Sequence, residues 1–111
     1  MNKIEIDENK LIIGEKEVSF DKNIQEVKIL NQIILILLEI DGSLNNVYAI
    51  NYNCDILWKI KEPKTEFIGN RKFPYVGFSE KDNKVSVIDF YGRRFYLDIT
   101  NGEIIGADIV K

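Results

Sequence analysis

A chain of 111 residues with 45% hydrophobic and 30% charged residues has the length and make-up of one globular domain, neither disordered nor fibrous. Its net charge of −3 and the lack of a basic stripe exclude the usual nucleic-acid binder, whose affinity comes mainly from neutralising phosphates. With no histidine there is no imidazole base and no Ser-His-Asp or Cys-His arrangement, and the single cysteine excludes an internal disulfide framework.

The first residues, Met1 to Asp7, hold no continuous apolar segment or small-residue cleavage site, so no secretory leader is expected. The longest apolar run, Ile33 to Leu38, is far shorter than the ~20 residues of a membrane span. A cytoplasmic protein without a membrane role is the expectation.

In chain order, Ile4-Glu5-Ile6-Asp7 alternates strictly and predicts a strand. Glu8-Asn9 then forms a two-residue turn into Leu11-Ile12-Ile13. Gly14-Glu15 predicts a second tight turn, with glycine at the first central position as type II′ demands, leading to a strand over Glu17–Phe20. Ile24 to Leu30 predicts the next strand, and a slip in its apolar phase means either that the strand starts late or that a bulge lies near Gln25. A helix over 22–40 is the competing reading, opposed by the density of β-branched residues and the lack of caps.

Ile33–Ile40 is apolar without alternation, which predicts a central strand buried on both faces. After a turn at Asp41-Gly42-Ser43 come strands over 46–51 and 55–60, the second holding Trp58, the only tryptophan. Residues 61–73 carry both glycine and proline and many cations, and predict a long loop. Strands resume at Tyr75, then at Val85 after the turn Lys81–Lys84, then at Arg93 after Tyr91-Gly92. Asn101-Gly102, read as a type I′ turn, leads to the last strand over 103–110. About ten short antiparallel strands with no credible helical period mean one all-β domain over 1–111, a meander that curls or folds over its own core.

Offsetting the chain by 48 residues sets Tyr48 on Tyr96, Asn53 on Asn101, Asp55 on Glu103 and Ile56-Leu57 on Ile104-Ile105. Farther upstream, Glu39-Ile40-Asp41-Gly42 echoes Val87-Ile88-Asp89 and the glycine after Tyr91. Repeats of 40–50 residues in an all-β chain mark propeller blades. Val47-Tyr48-Ala49-Ile50 followed by Ile56-Leu57-Trp58-Lys59 resembles the quinoprotein-like (PQQ-type) β-propeller repeat. Phe95-Tyr96-Leu97-Asp98 followed by Asn101-Gly102-Glu103-Ile104 resembles a second copy. Cys54 stands where the family turn has glycine, and Gly106 where it has tryptophan. The resemblance covers residues 33 to 107 and implies blade-like sheets. It implies no quinone cofactor, because too few blades are present to close a ring. Size, acidity and β content are also similar to those of small bacterial toxin-neutralising immunity proteins.

No metal or phosphate pattern is present, and no cofactor is expected. Trp58 reads as a core anchor before a ligand platform, and Cys54 as an inert thiol with no base beside it. Two stretches are candidates for binding. The 61–73 loop offers Lys64, Phe67, Arg71, Lys72 and Phe73, and the hairpin after Tyr91-Gly92 offers Arg93 and Arg94. The charge asymmetry adds an acidic face. Residues 1–55 hold five lysines against ten carboxylates, and Glu5, Asp7, Glu15, Glu17 and Glu26 are expected to gather. A non-enzymatic module that binds another protein, such as a basic toxin, is the leading expectation. The alternatives are a two-carboxylate enzyme acting on a small molecule or carbohydrate, and a partial propeller that self-assembles.

Overall fold

The computed structural model describes residues 3–40, 44–68, 71–82 and 84–109, so the predicted turn at 41–43 lies outside the described residues, as does Asn83 in the turn Lys81–Lys84. Eleven strands follow one another as β1 (Ile4–Asp7), β2 (Lys10–Ile13), β3 (Lys16–Ser19), β4 (Ile24–Leu30), β5 (Ile33–Leu38), β6 (Val47–Ile50), β7 (Ile56–Lys59), β8 (Tyr75–Lys81), β9 (Lys84–Asp89), β10 (Arg93–Asp98) and β11 (Glu103–Ile109). One helical turn, α1 (Thr65–Ile68), interrupts the long loop, which sequence periodicity could not show in four residues.

The expected single curled sheet is instead three antiparallel meanders: β1-β2-β3, β4-β5-β6-β7 and β8-β9-β10-β11. They do not close into a barrel or ring. Every ladder joins neighbours in sequence, and two-residue turns set the register of β1–β2, β2–β3 and β4–β5. The first three two-residue turns begin with Glu8, Gly14 and Asn31 at φ +55°, +61° and +39°, the left-handed start that suits the twist of a hairpin. In the first of these it is Glu8 that turns left-handed. Asn9 instead uses its side chain, donating to the Phe20 carbonyl at 2.7 Å. The β4 ladder shifts between Ile24 and Glu26, so of the two readings of the phase slip the bulge at Gln25 is the one found, and the strand does not start late.

The three sheets stack face to face, with the β4–β7 sheet in the middle. Alternation along β5 divides its side chains between two cores. Ile34, Ile36 and Leu38 pack with Leu11, Ile13 and Phe20 of the first sheet. Leu35 and Leu37 pack with Tyr75, Val87 and Phe95 of the third. An apolar residue at every position is what a strand with two dry faces needs, and each such side chain contributes about 1.5–3 kcal/mol by burial.

The second interface also has directional bonds. Asn46 is buried and fully paired: its Nδ2 donates to the carbonyls of Leu38 and Tyr75, both at 2.9 Å, and its Oδ1 accepts Tyr75 N–H at 3.0 Å. Trp58 is a core anchor, with Nε1 donating to the Ile99 carbonyl in the β10–β11 turn at 2.9 Å. In that same turn Gly102 has φ +81°, and a Cβ there would lie 2.6 Å from the indole Cε3. The backbone thus closes on the ring where only glycine fits.

The two four-stranded sheets are built alike. Val47 and Tyr48 oppose Leu37 and Ile36, as Phe95 and Tyr96 oppose Val87 and Ser86. The offset is 48 on β6/β10 but 50 on β5/β9, so the upstream echo of residues 39–42 is out of register by two. The connection between the paired residues is longer by two in the first copy. Cys54 and Gly102, aligned by the 48-residue offset, are both left-handed, at φ +63° and +81°. Asn101-Gly102 is not a type I′ turn. The connection is four residues long, Asp98 caps Thr100 through both its N–H and its hydroxyl, and of Asn101 and Gly102 only the glycine turns left-handed.

Candidate protein-contact site

The turn between β9 and β10 is three residues long, Phe90-Tyr91-Gly92, with Gly92 at φ +90° closing it through its N–H to the Asp89 carbonyl at 3.0 Å. Asp89 organises this tip from beneath, at 1% exposure. Its Oδ1 accepts the N–H groups of Tyr91 and Arg93 at 3.0 and 2.9 Å, while its Oδ2 accepts Arg93 Nε at 2.8 Å. An aspartate at the start of a turn can bind the backbone two residues on, and here the turn also folds the N–H four residues on back to the same oxygen.

Arg93 spends its remaining donors on the long loop. Nη1 donates to the Ile68 carbonyl at 3.2 Å and Nη2 to the Arg71 carbonyl at 3.0 Å. Its guanidinium lies 5.2 Å from the Phe73 ring centroid and 5.6 Å from that of Phe95. Phe73 stacks on Tyr91 with centroids 5.4 Å apart and planes 9° from parallel. The Phe90 N–H donates to the Pro74 carbonyl at 2.9 Å. The loop is therefore bolted to the hairpin by one half-buried cation shared among a carboxylate, two carbonyls and aromatic faces.

Of the seven candidates from the sequence, Arg71, Phe73 and Arg93 meet here. Phe67 is half-buried against the second core, and Lys72 pairs with Glu62, whose carboxyl that ammonium holds below its ordinary value. Lys64 is exposed at the start of the helical turn. Arg94, one residue along the strand, points to the opposite face, where Nε donates to Asp108 Oδ1 at 2.8 Å. Sequence reasoning missed Asp89 and Phe90. The Asp-x-x-Gly spacing of 89–92 was the available signal, since it is the pattern of a side-chain-capped turn.

Phe90 and Tyr91 crown the tip at 71% and 68% exposure. Two adjacent exposed aromatics thus stand on a turn held by the Asp89 carboxylate and Arg93. Aromatic anchors of this kind carry much of the binding energy in protein interfaces.

The acidic face is smaller than expected. The register places Glu5 and Glu17 on either side of Ile12, with Asp7 beside Lys10. Lys3 and Lys10 stand 3.6 and 3.7 Å from Glu5 and Glu17. Glu26 lies elsewhere, beside Gly77 of the third sheet. Among the described residues Asp89 is the one buried carboxylate. Glu66 and Asp108 line a shallow hollow of about 260 Å³. Hydrogen bonds from Arg94 and Tyr96 hold Asp108 below the usual carboxylate range, so it has no proton to give near neutrality. Burial pushes the Cys54 thiol up, away from the reactive thiolate. Among the described residues no group of acids and cysteine has metal-binding geometry, and no helix is long and apolar enough to cross a membrane.

A model for a domain of unknown function, DUF7957, matches residues 1–109. The chain belongs to the DUF7957 family. The match takes in β1 to β11, so the DUF7957 domain is the whole three-sheet stack and not one of its meanders. No curated protein matches the chain.

Proposed function

We propose that the chain is a non-enzymatic module that binds another protein through the β9–β10 tip and the loop bolted to it. The observation that carries this reading is the pair Phe90 and Tyr91, widely exposed on a turn that Asp89 and Arg93 hold rigid. A rigid aromatic loses little side-chain freedom on binding, so most of its burial appears as affinity. Exposed Arg71 beside the tip favours a partner with acidic residues around an apolar pocket. The lone, unbridged Cys54 fits a reducing compartment such as the cytoplasm. The resemblance to propeller repeats gives the scaffold a sense: the same strand order in the two four-stranded meanders supports successive blade-like units, with the tip at one end of the last. Toxin neutralisation is the concrete alternative, favoured by Glu5, Asp7 and Glu17 on one face, though their lysine neighbours leave that face a weak field.

The test uses a photo-crosslinking residue in place of Tyr91 and, as control, in place of exposed Ile6 on the far sheet. A partner trapped from Tyr91 alone is then purified and its affinity measured. Phe90→Ser with Tyr91→Ser is expected to weaken binding about tenfold or more while costing the fold only the Tyr91–Phe73 stack, about 0.5–1.5 kcal/mol. Affinity within about twofold of the parent rejects the tip as the contact, and trapping from Ile6 instead points to the first sheet.

A further inference from the structure

The far end of the third sheet is built differently from the tip. The β9–β10 ladder runs through Arg94–Ile88, Phe95–Val87 and Tyr96–Ser86 and stops there. Both strands continue past that point, each held by its outer neighbour alone: β9 through Val85 and Lys84 to β8, and β10 through Leu97 and Asp98 to β11. The strands part, and a cleft of about 500 Å³ opens between them, the size of a small-molecule site.

Its walls are Val85, Leu97, Ile99 and Ile105, the last at 63% exposure. Tyr96 forms one side and is held in place twice. Its ring lies against Gly106, where an added Cβ would be 3.6 Å from Cδ2, and its hydroxyl donates to Asp108 at 2.8 Å. At the mouth stand Lys81 and Lys84 from the β8–β9 turn, neither in an ion pair with a described residue. Asp82 opposes them, leaving the mouth one positive charge in balance, while Asp108 is already matched by Arg94.

We propose that this cleft binds a small amphipathic anion, with an apolar or aromatic body between Ile99, Ile105 and the Tyr96 ring and a carboxylate- or sulfonate-like head between Lys81 and Lys84. Burial of the body supplies the affinity, and the two lysines select the charge. The site is independent of the tip and stands whether or not the tip binds a protein.

The probe is 8-anilinonaphthalene-1-sulfonate, compared with its uncharged analogue N-phenyl-1-naphthylamine, each titrated into the whole chain by fluorescence and by amide shifts. One saturable site is expected for the sulfonate, with the largest shifts at Lys84, Tyr96 and Ile105. Lys81→Glu with Lys84→Glu is expected to weaken the sulfonate about tenfold and leave the uncharged analogue within about twofold. Ile105→Asp, at an exposed position that spares the core, is expected to weaken both. Tyr91→Ser is expected to change neither. Non-saturable binding, shifts centred outside the cleft, or charge-reversed variants that bind the sulfonate as the parent does would each overturn the proposal.

Discussion

The central sheet has two faces and they are held in different ways. Toward the first sheet it meets Leu11, Ile13 and Phe20 with Ile34, Ile36, Leu38 and Ile50, and the bonds that cross lie at the margins. Ile24 N–H donates to the Glu8 carbonyl at 2.8 Å, and Lys16 donates to Asn53 at the surface. Toward the third sheet, Asn46 makes two buried bonds to the Tyr75 backbone, Trp58 donates to Ile99, Lys61 N–H donates to the Gly102 carbonyl at 3.0 Å, and Lys28 pairs with Glu80. Apolar burial is indifferent to small slides of one sheet over another; a hydrogen bond is not. The first interface supplies adhesion, while the second also fixes position, and both proposed sites lie on the sheet so fixed.

The contrast is broken hardest at Trp58. Trp58→Ala is expected to cost about 3–5 kcal/mol in denaturant melts, the range for large core truncations, and to speed amide exchange in the β10–β11 turn. A loss well under 1 kcal/mol would mean the latch does not hold. A second test sets two shape-preserving changes against each other. Leu11→Met in the first interface should cost less than about 1.5 kcal/mol, since apolar volume is kept. Asn46→Leu is nearly as conservative in volume, yet it orphans Tyr75 N–H and two carbonyls, at about 1–3 kcal/mol for each group left without a partner. Equal costs for the pair would erase the distinction between the interfaces. The smallest effect separates the two equivalent turns. Gly102→Ala forces a Cβ against the Trp58 indole at a left-handed φ and should destabilise by about 1–3 kcal/mol. Cys54→Gly, at the matching left-handed position against the first core, should stay within about 1 kcal/mol, because relieved backbone strain offsets lost contact. Thermal melts of both variants, compared at one pH, check the pair.

Much of this was legible beforehand. The unbroken apolar run of β5 announced two dry faces, the phase slip narrowed to a bulge near Gln25 or a late start, and the 48-residue offset set Cys54 on Gly102, which both turn left-handed. These are local or periodic signals. The division into three sheets was not legible, because periodicity reports which side of a strand is buried and says nothing of which ladder it joins. Arg93 and Arg94 looked like one site, yet successive strand residues point to opposite faces. Asn101-Gly102 looked like a two-residue turn until the Asp98 cap lengthened it. Asp89 carries a local signal, the Asp-x-x-Gly turn, but what gathers the loop there is the arrival of the Ile68 and Arg71 carbonyls at Arg93, and composition does not encode that arrival.

The neighbour-only pairing of strands has a kinetic consequence. Each ladder closes over a short connection, so hairpins can zip in about 1–10 μs without a long search through the chain. The slow event is then docking, and the three meanders are unequal while they wait. The central one has no wet side: until both neighbours arrive, β5 shows water either Ile34, Ile36 and Leu38 or Leu35 and Leu37. A half-docked chain is therefore sticky on one surface, and its aggregation depends on which neighbour arrives late.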